Sequence, residues 1–180
     1  MATPTTLPAT FVAGNVLEAE QLNDLRGAFR VLQVVSTAKT DTFTMASTTY
    51  ADVTGLNVSI TPTSATSKIL VMAQVSAMGA VGAALGFGQF VRGSTAIGVG
   101  DASGSRIQCT FPIPFGNAVA ALFTETPIFL DSPATTSATT YKIQVKKSAG
   151  TMVVGATYQG QNNADTFNCL TNITLMEVLV

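Results

Sequence analysis

The 180-residue sequence predicts an all-β fold: a single jelly-roll-like β-sandwich preceded by an extended N-terminal arm and one short helix. Three observations predict it. Leu56, Val58 and Ile60 alternate with Asn57, Ser59 and Thr61, and Tyr141, Ile143 and Val145 alternate with Lys142, Gln144 and Lys146, the period-two signature of half-buried strands. Turn residues punctuate the chain at short intervals, beginning with Pro62 and the small polar run from Thr63 to Ser67. Two segments are apolar on both faces: Ile69, Val71, Ala73 and Val75 oppose Leu70, Met72 and Met78, and Leu175 and Leu179 oppose Met176 and Val178. Such strands need cover on both sides, from a second sheet and, most simply, from another copy of the chain.

Residues 1–13 are rich in Thr and Pro and read as an extended arm. Asn15 suits a helix N-cap, with Glu18 at the capping-box position. Val16, Leu17, Leu22 and Leu25 then fall near one face, Glu20, Asn23 and Asp24 stay polar, and Gly27 suits the stop, so a helix is expected over 16–26. The chain therefore divides into an arm and helix (1–28) and a sandwich domain (29–180). Phe11, Val16, Leu17, Leu22 and Leu25 are the expected anchor or oligomer contact.

Beyond that point the reading is almost wholly β. Strands are expected over 30–37, 42–45, the two halves of 52–79 joined by one turn, 84–92, 95–99, 122–130, 140–147, 151–159 and 169–180. Residues 107–115 contain Pro112 and Pro114, which confines them to an edge or irregular strand. The last strand is expected centrally or at a subunit interface. Leu70, Met72, Leu175, Met176 and Val178 are the expected interface residues. Residues 69–91 carry no charge and would be long enough to span a bilayer, but Gly79, Gly82, Gly86 and Gly88 interrupt them and Gln74 and Gln89 lie inside. Two buried strands explain them better than membrane insertion.

Charged residues make up 11% of the chain, against roughly 25% in an average soluble protein. An uncharged surface of this kind suits a subunit buried in an assembly. The net charge of −1 gives no footprint for nucleic acid or anionic lipid. No secretory signal is visible in the first ten residues.

Histidine is absent, which removes the Ser-His-Asp and Cys-His arrangements and the common zinc sites. The ten acidic residues are dispersed, so no carboxylate pair is forced to converge as in a glycosidase. No enzymatic activity, catalytic residue, metal site or cofactor is expected. The glycine cluster from Gly98 to Gly104 has Ser103 near the place of a third fingerprint glycine and no helix after it, so it reads as a surface loop, tied by Asp101 and Arg106. Cys109 and Cys169 are expected to be free and buried, since two cysteines in a cytosol-assembled protein seldom pair.

The run from Tyr50 to Val71 resembles a module of tailed-bacteriophage structural proteins, especially of phages of cyanobacteria and other aquatic hosts. The stretches from Gly100 to Arg106, Leu130 to Ser137, Tyr141 to Val145 and Ile173 to Val178 carry the same resemblance in the same order, and Phe11 to Leu17 is similar to the opening of other phage virion proteins. The resemblance implies a virion surface protein, often a homotrimer, assembled in the host cytoplasm. Three readings compete. The first is a capsid decoration or cement protein contacting the major capsid protein or other virion subunits, anchored through residues 4–26. The second is a short tail fibre or fibre tip whose loops, 98–105 and 159–167, meet a host receptor such as a surface glycan. The third is a polysaccharide-binding or depolymerising module. The short chain, with no shaft, favours the head.

Overall fold

The computed structural model describes residues 31–79, 85–114, 122–157, 164 and 166–179. The expected helix and the anchor residues Phe11, Val16, Leu17, Leu22 and Leu25 lie outside the described residues. Among those described there is no helix, and twelve strands form two antiparallel sheets.

The first sheet holds seven strands: β1 (Val31–Lys39), β2 (Phe43–Met45), β4 (Lys68–Gly79), β8 (Phe123–Glu125), β9 (Ile128–Asp131), β11 (Met152–Val154) and β12 (Thr171–Val178). The second holds five: β3 (Ala51–Ile60), β5 (Gly86–Arg92), β6 (Thr95–Ile97), β7 (Phe111–Ile113) and β10 (Thr139–Lys147).

Register reveals a simpler plan. Along one side of β4, β9 pairs with residues 69–72 and β8 with 75–77; along the other, β12 covers 68–74 and β11 covers 77–79. β1 and β2 continue one another beside β12 and β11, and β6 and β7 continue one another beside β5. Each sheet therefore has four columns. Numbered along the chain, the columns pair first with eighth, second with seventh, third with sixth and fourth with fifth. That is a long hairpin rolled into two sheets, the jelly roll.

Two expectations change here. The expected strand over 122–130 is broken between β8 and β9, where Pro127 has no N–H to give and its carbonyl instead accepts from the Ala73 N–H at 3.1 Å. The two halves of 52–79 do not pair: β3 and β4 lie in opposite sheets, so the turn after Pro62 is a crossover. The uncharged run 69–91 contributes β4 and β5, and none of its described residues is helical.

The core lies between the sheets. Ile69, Val71, Ala73 and Val75 of β4 and Ile173 and Leu175 of β12 face Val53, Leu56, Val58 and Ile60 of β3, Phe90 of β5 and Tyr141, Ile143 and Val145 of β10. The alternation read in β3 and β10 is the alternation that burial follows. Leu175 is fully buried in this core, so it belongs to the fold and not to a subunit boundary. Glycine sets one close approach: a Cβ on Gly88 would overlap the Phe111 ring.

Candidate interaction surface

Antiparallel pairing places alternate residues of neighbouring strands in rows on the two faces of a sheet. On the inner face of the seven-stranded sheet one row runs Asp131, Ile69, Glu177, Gln33. Two carboxylates thus flank Ile69 inside the sandwich, at 5% and 0% exposure. Both are satisfied. Gln33 Nε2 donates to Glu177 Oε2 at 2.6 Å, while the Thr63 N–H and hydroxyl each donate to Oε1 at 2.7 Å. Burial pushes the Glu177 carboxyl up, but the Gln33 and Thr63 donors together outweigh it and hold the group below its ordinary value. Glu177 therefore fixes the crossover between β3 and β4. Across the core, Arg92 Nη1 donates to both oxygens of Asp131 at 2.8 Å, and the Tyr141 hydroxyl donates to Oδ2 at 2.6 Å. These carboxylates are structural clamps.

The next row along the same strands points outward: Leu130, Leu70, Met176, Val34. It crosses all four columns without a polar side chain. Ile128 and Met72 extend it on one side, before Thr174 and Ser36 close the row through a 2.9 Å hydroxyl contact. Val178 and Val31 extend it on the other, where Lys68 marks the rim. The central side chains Leu70, Met72, Met176 and Val178 are half-covered by their neighbours, whereas Val31, Val34, Ile128 and Leu130 remain 45%, 52%, 64% and 53% exposed. Isolated apolar residues on a surface are ordinary; a contiguous apolar face marks an interaction site.

The opposite outer face, on the five-stranded sheet, differs in kind. Lys142 donates to Asp52 at 2.8 Å, Gln144 donates to the other Asp52 oxygen at 2.7 Å, and Gln89 donates to Gln144 at 2.9 Å. Partial burial raises the Asp52 carboxyl, and the Lys142 and Gln144 donors bring it below its usual value. The Lys146 ammonium lies 4.7 Å from the Tyr50 ring centroid and 5.8 Å from that of Phe87. This face is held by charged and amide side chains paired with one another, whereas the central row of the other face is wholly apolar.

Four of the five expected interface residues, Leu70, Met72, Met176 and Val178, thus share one outer face, and Leu175 lies on the inner one. Val31, Val34, Ile128 and Leu130 were missed. The signal for them was present as adjacent apolar residues, Val34-Val35 and Ile128-Phe129-Leu130, which cannot all face one core. Glu177 and Asp131 were missed as buried residues because their partners are distant in sequence.

The loop after β6 is surface-exposed from Gly100 to Gln108. No Asp101–Arg106 ion pair ties it. Gln108 Nε2 donates to the Gly100 carbonyl at 2.7 Å, and the Arg106 N–H donates to the Ser103 carbonyl at 3.1 Å. Most of the other expected contact loop, 159–167, lies outside the described residues. Cys109 and Cys169 are free, as expected, but each is only half-buried. Among the described residues no three His, Cys, Asp or Glu side chains come together as a metal site.

No protein-family model and no curated protein matches the chain. Among solved structures, it is similar to a chain in the structure of infectious bursal disease virus, Gx strain, with a TM-score of 0.41 and 12% identity over 82% of this chain and 37% of that one. A chain in the structure of the Gt strain of the same virus gives a TM-score of 0.37 and 13% identity over 84% and 39%. This chain therefore spans well under half the length of the chains it resembles.

Proposed function

We propose that the chain is a virion structural protein, a homotrimeric decoration or cement subunit whose work is done by burial of surface and not by bond chemistry. The observation that carries this reading is the apolar row across the outer face of the seven-stranded sheet, continuous from Leu130 through Leu70 and Met176 to Val34. A second copy of the chain is the occupant that fits it. The central row offers no charge to leave unpaired on association, and each apolar Å² removed from water is worth about 25 cal/mol before the costs of association. The low charge of the whole chain and the sequence resemblance to phage virion proteins support the same reading.

The alternative, a short tail fibre or fibre tip, is favoured by the exposed loop from Gly100 to Gln108, which is braced at its base by the 2.8 Å bond from the Tyr50 hydroxyl to the Gln108 carbonyl. Quantitative mass spectrometry of purified particles separates the two. A copy number near that of the shell subunit is expected for a decoration or cement protein. A copy number lower by an order of magnitude would transfer the protein to the tail. Its absence from particles would overturn the virion role altogether.

A further inference from the structure

Gly98 and Thr110 are the ends of a loop inserted into an outer column of the five-stranded sheet, between β6 and β7. Both ends are fixed. Gly98 takes a φ of +61° against the Phe129 ring, where a Cβ would come within 2.8 Å of a ring carbon. The Thr110 N–H donates to the Gly88 carbonyl at 2.9 Å, and its hydroxyl donates to the Ile97 carbonyl at 3.2 Å and accepts from the Phe90 N–H at 3.1 Å. Between these ends the loop bonds to itself. The Gly100 N–H donates to the Cys109 carbonyl at 3.3 Å and closes the segment into a compact lobe. Among the described residues, one hydrogen bond ties 100–109 to the rest of the chain, from the Tyr50 hydroxyl to the Gln108 carbonyl. Tyr50 immediately precedes β3 and Gln108 comes shortly before β7, and β3 and β7 lie in opposite outer columns of the sheet. The contact therefore bridges β10 and β5, and the lobe leans across the outer face. Lys146 of β10 and Phe87 of β5 lie along that path. Phe90 of β5 points into the core, so Gln89 and Val91 point outward on this same face, yet they are only 8% and 2% exposed.

We infer that residues 99–109 are a strap that opens as a unit over the outer face of the five-stranded sheet, hinged at Gly98 and Thr110, with the Tyr50 hydroxyl as its latch. Every residue from Gly100 to Gln108 is exposed, so the closed strap buries little of itself. A segment with exposed side chains and a single tie opens at low cost while the sandwich beneath it stays folded. Opening bares Gln89 and Val91, and the latch controls access to them. The strap lies on the face opposite the apolar row, so the inference is independent of the oligomeric reading above.

The test is native-state cleavage by trypsin of the full-length protein and of its Tyr50→Phe variant. Phenylalanine keeps a ring beside Lys146 and removes the latch alone. Arg106 is the one basic residue of the loop, so a cut after it reports opening. Cleavage follows the population of the open form when reclosing is fast. Tyr50→Phe is expected to be cut after Arg106 about fivefold faster, in keeping with the loss of one hydrogen bond. Cuts after Arg92 and Lys142, which lie in β5 and β10, are expected to keep their rates. An unchanged rate at Arg106 would overturn the latch. A rise shared by Arg92 and Lys142 would show unfolding of the whole sandwich and overturn the strap. Alkylation of Cys109 in a Cys169→Ser background supplies an independent check. It is expected to quicken about fivefold on adding Tyr50→Phe, and an equal rate would contradict the inference.

Discussion

Tyr141 and Asp131 lie in opposite sheets and are joined by a 2.6 Å hydrogen bond through the core. Arg92, from the same sheet as Tyr141, donates to both oxygens of the same carboxylate. The sandwich is thus fastened at one end by a polar clamp as well as by apolar packing. Tyr141→Phe removes a donor from a buried carboxylate and is expected to destabilise the fold by about 1–3 kcal/mol. Asp131→Ala, which strands Arg92 and the hydroxyl together, is expected to cost about 3–5 kcal/mol. Urea unfolding followed by circular dichroism measures both, and equal, negligible effects would remove the clamp from the account.

Burial, followed by the adjacent Asp131 carboxylate, raises the Tyr141 hydroxyl above its ordinary value of 10.0, and burial raises Tyr50 as well. The unfolded chain therefore releases these protons first. Their contribution to stability is full below pH 10 and is lost as the pH rises beyond it toward the folded values. Tyr141→Phe should be less stable at neutral pH and yet lose less on going to alkali. A parallel decline in both proteins would contradict this.

Glu177 behaves with the opposite sign. Its folded carboxyl titrates below its ordinary value of 4.5, so its contribution is present above pH 4.5 and is lost as the pH falls through the folded value. Glu177→Gln turns an acceptor toward donors from Gln33 and Thr63 into an amide that competes with them. It is expected to lose about 1–3 kcal/mol at pH 7, with the gap from wild type narrowing below pH 4.5. A gap independent of pH would refute the assignment.

Gly88 lies directly beneath the Phe111 ring, with no room for a Cβ. Gly88→Ala sets a methyl group against the Phe111 ring and is expected to cost about 1–3 kcal/mol. Phe111→Ala in the same chain should cost less than the sum of the two single changes. Strict additivity would show that the ring is not the obstacle.

Adjacent residues of β12 face opposite sides of the sheet, Leu175 into the core and Met176 outward. Leu175→Asp buries a charge in the core and is expected to prevent folding. Met176→Asp alters the outer face and is expected to leave a folded chain that no longer associates. Circular dichroism with light scattering distinguishes these outcomes.

Much of the sandwich was legible in residue order. Alternation in β3 and β10, and turn residues between strands, gave the element type and most of the positions, since burial follows the period of two. What local pattern could not reveal was pairing between distant segments. The turn after Pro62 looks like a hairpin in sequence but carries the chain from one sheet to the other, because β4 finds its partners in β12, β9, β11 and β8. The outer apolar face was half legible for the same reason. Two-faced strands showed that something must cover them, while the side of β12 that faces inward depends on register with β4, so Leu175 was grouped with Met176.

The central claim is that the outer face of the seven-stranded sheet joins copies of the chain. Size-exclusion chromatography with light scattering, on the full-length protein and on a Val34→Lys, Leu130→Lys double variant, tests it most directly. Both side chains are already more than half exposed, so the fold should tolerate the change. A trimer that becomes a folded monomer in the variant is the predicted result, and a variant that remains trimeric would contradict it.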